Sequence, residues 1–322
     1  MLTALKNKYL NWIAACDAIA AKNYFTNVYG MARSLFALSI LLTLLVNSDA
    51  DLFNQADFIN RQSGDFSRFN LFLIFDYQHL VWARTIAGLI LISVISGYFP
   101  RYTGLLHWWV TISYYQAISI PEGGDQIAAN VTFILLFITL MDSRKNHWQA
   151  PLTVKKPYSN FMAYLLFGII GIQMAAVYFH SAVHKLYNTQ EWVDGSAMYY
   201  WFNNTVFGLN DTMKMLLQPI IDTPLLLFML NWGVIVFELL LFCAIMASAK
   251  TRKTLLIMGI TFHFMIALTL GLYSFFLNMS ACLILFLAPL EGKINFPVRN
   301  KKPLQDTLFL KKYIPVSIFT RK

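Results

Sequence analysis

Charge is scarce in this sequence. Of its 322 residues only 13% are Asp, Glu, Lys or Arg, against 57% hydrophobic and 16% aromatic, and the mean hydropathy is +0.53. That balance excludes an ordinary soluble globular domain. Cysteine is rarer still: Cys16, Cys243 and Cys282 form no spaced motif, which excludes a disulfide framework and a thiolate metal centre. No GxGxxG and no nucleotide-phosphate loop occurs, so a nucleotide-driven pump is excluded as well. Internal repeats and low-complexity segments are missing. A cleavable signal is also missing, because the first apolar run is broken by Lys6, Lys8 and Asp17.

What is present is a succession of apolar runs long enough to cross a bilayer, at residues 31–46, 81–99, 102–120, 127–141, 158–179 and 225–247. A further stretch, 254–289, carries no Asp, Glu, Lys or Arg and has room for two helices joined by a tight turn near Gly271. The expected fold is therefore an all-α, polytopic membrane bundle of eight spans. Its net charge of +9 would suggest nucleic acid in a soluble protein, but here the distribution of charge reads as topology. With eight spans, 20 of the 25 basic residues fall on one side, including Lys6, Lys22, Arg33, Arg101, Arg144, Lys250 and all those from Lys293 onward. The other side keeps Arg61, Arg68, Arg84, Lys185 and Lys214 with most of the acids. By the positive-inside rule both termini are cytoplasmic, and no nucleic-acid partner is expected. Residues 1–28 read as a cytoplasmic amphipathic helix, with Tyr9, Trp12, Ile13, Cys16 and Ala20 at helical spacing. Residues 29–291 form the transmembrane domain. Residues 292–322 form a basic cytoplasmic tail attracted to anionic membrane lipids.

Titratable residues at the outer boundary are the first candidates for chemistry. His180-Ser-Ala-Val-His184-Lys185-Leu186 and Glu191-Trp192-Val-Asp194-Gly195 follow directly on the fifth apolar run. His180 and His184, four apart, share a helix face, as two metal ligands or two proton carriers would, or simply as hydrogen-bonded side chains at a wet helix end. Asp125 and Glu122, in Pro121-Glu-Gly-Gly-Asp-Gln126, are the nearest acids to complete such a set, or lie in an ordinary glycine turn. Lys185 reads either as a desolvated general base or as a snorkelling side chain whose ammonium reaches water. Glu238 and His263 fall mid-span, where ionisable groups face the bundle interior and pair. A Glu238–His263 hydrogen bond between helices, a proton relay, or the polar end of a substrate cavity would each satisfy that rule. Arg84, near the outer end of the second run, suits an outer carboxylate or a substrate carboxylate. His107, Trp108 and Trp109 read as core, and the aromatic run Met198-Tyr-Tyr-Trp-Phe-Asn-Asn204 as rings at headgroup depth.

Several stretches together resemble the sporulation-delaying protein B family. They are Asn27-Val-Tyr-Gly-Met-Ala-Arg-Ser-Leu-Phe-Ala-Leu38 through Asn47, Arg101-Tyr-Thr-Gly-Leu-Leu-His-Trp108, Gly123-Gly-Asp-Gln-Ile127, Leu140-Met-Asp-Ser-Arg-Lys-Asn-His-Trp148 and Glu191-Trp-Val-Asp-Gly-Ser-Ala-Met-Tyr-Tyr200. The resemblance runs from about residue 25 to about residue 290. It implies a multi-pass protein of the bacterial inner membrane that turns a toxin precursor peptide into a secreted antimicrobial peptide, working with a small partner protein. More distantly, Lys185-Leu186, Trp192, Asp194-Gly195 and Phe262-His263 resemble the HTTM-type membrane domain of vitamin K-dependent gamma-glutamyl carboxylase. That likeness makes 29–291 a carboxylase-like domain. It implies Lys185 as the base that deprotonates a reduced quinone, with His263 as second catalytic candidate; His184, in the titratable cluster beside Lys185, is a further one. The carboxylase's large luminal domain has no counterpart, nor does a histidine expected near Asp125-Gln-Ile127, so glutamate carboxylation is not expected to be retained.

Three functions follow as expectations. In the first, a maturation factor engages the precursor at the outer mouth, with His180, Asp125, Glu238, Arg84 and Trp192 as binding residues. In the second, a quinone-linked enzyme uses Lys185 and His263 in a lipid-accessible pocket. The third is a non-enzymatic scaffold or immunity-type peptide binder.

Overall fold

The computed structural model describes residues 2–65, 67–151, 156–205 and 207–294. The expected tail therefore lies outside the described residues from 295 onward. Among the described residues fourteen α-helices follow one another: α1 (Leu2–Ala20), α2 (Asn27–Val46), α3 (Asp49–Leu52), α4 (Gln55–Gln62), α5 (Leu80–Ser96), α6 (Pro100–Ala117), α7 (Gly123–Met141), α8 (Pro157–Asn188), α9 (Gln190–Val193), α10 (Ala197–Phe202), α11 (Asp211–Ile221), α12 (Pro224–Cys243), α13 (Ala249–Leu270) and α14 (Tyr273–Leu287). Among the described residues there is no strand. The protein is an all-helical membrane protein.

Local sequence sets the helix ends. The Thr26 hydroxyl accepts from the Val28 amide to start α2, and the Ser248 hydroxyl accepts from Thr251 to start α13. Proline occupies the first position of α6, α8 and α12, where its missing N–H costs nothing. The uncharged stretch from 254 does hold two helices, hinged at Gly271 with φ of +75°.

All eight apolar runs are helical, but among the described residues six helical segments are long and apolar enough to cross a membrane: Asn27–Val46, Tyr77–Ser96, Gly123–Met141, Pro157–Asn188, Pro224–Met246 and Ala249–Leu270. The other two differ for physical reasons. α6 carries Arg101, His107, Thr111, Ser113 and Gln116, and α14 is 15 residues long. α14 is instead a central helix, buried on nearly every side from Asn278 to Leu287 and packed against α2, α7, α8 and α13. Around it lies one apolar core with Tyr29, Phe36, Leu135, Phe167 and Met174. A second core joins α2, α5 and α6 to the 47–80 segment, whose Phe53, Phe58 and Phe72 are fully buried, so that segment is a folded cap.

The loops sort into two groups. At one end Lys22 pairs with Glu291, the Thr26 hydroxyl donates to the Leu290 carbonyl, and Arg101 donates to the Asp142 carbonyl. At the other, Arg61 donates to the Gln116 and Ile118 carbonyls and Ser274 to Glu122. These are the groupings that the eight long helices α2, α5, α6, α7, α8, α12, α13 and α14 produce by running in alternating directions.

Candidate functional site

α8 is long enough to place Tyr178, Ser181 and Lys185 on one face, at spacings of three and four. α12 brings Glu238 opposite them. The Lys185 ammonium lies 2.7 and 2.9 Å from the two Glu238 oxygens and 2.6 Å from the Ser181 hydroxyl, which itself donates to Glu238 at 3.0 Å. The result is a closed ring of three side chains. Trp192 covers it, with its ring centre 5.2 Å from the Lys185 nitrogen, so a cation–π contact adds to the ion pair. Both charged side chains are largely withdrawn from solvent, 17% exposed for Lys185 and 9% for Glu238.

The cover over Lys185 is held from α12. Asn231, fully buried, donates to the Trp192 carbonyl at 2.8 Å and accepts from the Met198 amide at 3.2 Å. Gly195 turns with φ of +86° so close to Phe228 that a Cβ would lie 2.5 Å from that ring. Only glycine meets both demands. Ala182, Trp192, Ala197 and Ile235 pack together beneath. Beside Trp192 opens a cavity of about 310 Å³ lined by Thr189, Glu191, Ala197, Tyr200, Trp201 and Asn204.

His263 belongs to the same neighbourhood but not to the ring. Its Nε2 lies 3.2 Å from the Tyr178 hydroxyl, seven residues and so about 10 Å along α8 from Lys185, and its buried Nδ1 has no partner. Of the readings open for Glu238 and His263, a direct bond between them is not formed: Glu238 is taken by the nearer cation, and His263 by a phenol. His180 and His184 point from α8 onto exposed surface, their rings 6.0 Å apart. Asp125 does not join them. Its carboxylate accepts from the Glu122 amide at 3.1 Å and lies 3.4 Å from the Asn278 amide nitrogen. Glu122, in the loop before α7, has its pKa raised by burial, against the stabilising hydrogen bond from Ser274. Among the described residues no group of three or more His, Cys, Asp or Glu could hold a metal ion. Arg84 pairs with Asp49 and caps the Leu44 and Asn47 carbonyls, so its charge is already taken by a carboxylate of this chain. Of the expected set, the structure thus brings together Lys185, Glu238 and Trp192, with His263 adjoining. His180, His184, Asp125 and Arg84 lie elsewhere.

A second polar cluster was not expected as a unit. Arg33, fully buried in α2, donates to Thr103 at 2.7 Å and lies 3.3 Å from His147 Nδ1. Asp142 accepts from the Tyr29 hydroxyl and from Arg144, which also donates to the His147 and Gln149 carbonyls. Burial, with repulsion from Arg33 and Arg144, holds the His147 pKa down at about 2, so its imidazole is neutral. Gly30 and Gly97 pack directly on that ring. This cluster locks the 142–149 loop under α2 and α6. The available signal was Arg33 inside an apolar run, which sequence reading spent on topology. His107, expected in the core, is buried beside it.

The HTTM domain model matches residues 26–290. Similar chains from Bacillus subtilis (strain 168) include an uncharacterized protein, YitO, 38% identical over 278 residues that cover 85% of this chain and 89% of that one. Sporulation-delaying protein SdpB of the same organism is 33% identical over 276 residues, 84% of each chain. No solved structure matches.

Proposed function

We propose, from the premise that this chain belongs to the HTTM domain family as a sporulation-delaying protein B-like member, that it matures a secreted antimicrobial peptide. The observation that carries this reading is the Lys185–Glu238–Ser181 ring beneath Trp192, set beside an aromatic-lined cavity. An ion pair on the path of a peptide is exchangeable: a cationic side chain of the precursor competes for Glu238, and a carboxylate competes for Lys185. Tyr200 and Trp201 supply apolar area for the remainder of the chain. By the positive-inside rule this mouth faces outward from the bacterial inner membrane, with the ends of the chain in the cytoplasm, and a small partner protein completes the system.

The quinone-linked reading requires a free amine. All three Lys185 donors are engaged by Glu238 and Ser181, and a neutral Lys185 would leave Glu238 buried without its counter-charge. These residues do not fit a base poised for a reduced quinone, and no step through one is derived.

Photo-crosslinking tests the peptide reading. With benzoylphenylalanine at Trp201, the precursor is captured in producing cells, and the same probe at Lys253, at the opposite end of the bundle, captures none. Equal capture at both positions, or none at Trp201, contradicts peptide engagement at this mouth.

A further inference from the structure

A larger cavity lies at the opposite end of the molecule from Lys185, about 640 Å³ in volume, between α8, the start of α13 and the end of α14. That size falls within the roughly 300–1,000 Å³ of small-molecule sites. Its walls are apolar: Phe167, Ile172, Leu256, Leu285 and Phe286 among them. They run from Tyr164 to Ile172 along α8, about 12 Å at the helical rise. Gly168 and Gly171 line the α8 side, and a Cβ on Gly168 would meet nothing within 4 Å. The space is thus real room beside that helix.

The rim is cationic. Lys22, Arg252 and Lys253 surround the opening with Glu291 as the one acid, and Lys22 already pairs with Glu291 at 3.1 Å. Lys253 is exposed. Arg252 donates one terminal nitrogen to the Phe286 carbonyl, and its buried Nε has no partner. A slot of apolar wall ending in surplus positive charge matches a molecule with a hydrocarbon chain and an anionic head. The chain beyond residue 294 is strongly basic, so charge disfavours it as the occupant.

We propose that this cavity is a binding site for one anionic phospholipid, its acyl chain against Gly168 and Phe286 and its phosphate at Arg252 and Lys253. The inference is independent of the peptide reading, since the two sites share no residue.

Native mass spectrometry of the detergent-purified full chain, titrated with phosphatidylglycerol or phosphatidylcholine, tests it. One phosphatidylglycerol is expected to be retained at least tenfold more tightly than phosphatidylcholine. Lys253→Gln, alone and with Arg252→Gln, removes that preference. Gly168→Leu, at a position where a Cβ has open space, puts a side chain into the slot and is expected to weaken retention of both lipids at an unchanged melting midpoint, so it carries the test even where the Arg252 variant fails to fold. Equal retention of the two lipids by the wild type, retention unaffected by Gly168→Leu, or tenfold tighter lipid binding after removal of residues 295–322 would each overturn the proposal. The last result would make the chain's own tail the occupant.

Discussion

Lys185 and Glu238 are each costly in a low-dielectric interior and tolerable only together. Truncating one leaves the other charge buried and unpaired, at a cost of about 3–5 kcal/mol, whereas replacing both by apolar residues of similar volume is close to neutral. Lys185→Ala is therefore expected to lower the denaturation midpoint in detergent strongly, and Lys185→Met with Glu238→Leu to restore most of it. A double variant no more stable than Lys185→Ala would show that the pair does not act as a unit. His147 offers a separate check through acid. Its imidazole is held neutral in the folded protein down to about pH 2 but protonates near pH 6.5 when unfolded. The unfolded state thus binds more protons below pH 6.5, so stability is lost as pH falls below that value, approaching about 1.4 kcal/mol per unit. Thermal midpoints between pH 7 and 5 should show this slope, and His147→Asn should flatten it whatever its effect on the level at pH 7. An unchanged slope in the variant would assign the acid lability to other groups.

Helix by helix, the apolar runs were legible because uninterrupted hydrophobicity over about twenty residues has few other physical solutions. The turn at Gly271 was legible for the same reason. What could not be read was partner choice across helices. Glu238 and His263 both announced themselves as mid-span ionisable residues, yet nothing in spacing tells whether Lys185, Tyr178 or another group lies opposite. Arg33 was visible in an apolar run, but its packing on His147 depends on a loop more than 100 residues away. The short α9 and α10 show how an irregular segment is fixed by one side chain from a regular one. The Asn231 side chain bonds both the Trp192 carbonyl and the Met198 amide. Asn231→Ala should leave these groups unsatisfied, cost about 1–3 kcal/mol each, and make the 189–204 segment more sensitive to protease than the wild type. Unaltered protection there would mean that Gly195 and the Phe228 contact suffice.

Across the whole molecule the two ends of the bundle have different chemistry. One end carries the ion pair, the Trp192 cover and an aromatic cavity. The other carries the Arg33–Asp142–Arg144–His147 lock and an apolar slot rimmed by cations. The central α14 passes between them and touches both α2 and α8. Charge in the sequence could be sorted into two groups of loops because lipid leaves loop ends as the only inexpensive place for solvated charge. Within one end, the candidate residues are spread over the start of α7, the Arg84–Asp49 pair, the Lys185–Glu238 ring and an exposed face of α8. The proposed function rests on the place where a withdrawn ion pair meets an open cavity. The most direct measurement is mature peptide yield, by mass spectrometry, in a producing strain whose only copy carries the paired replacement Lys185→Met with Glu238→Leu, at matched membrane abundance. A loss of at least tenfold is expected, since the fold survives while the exchangeable charges are gone; wild-type yield would contradict a functional role for this site.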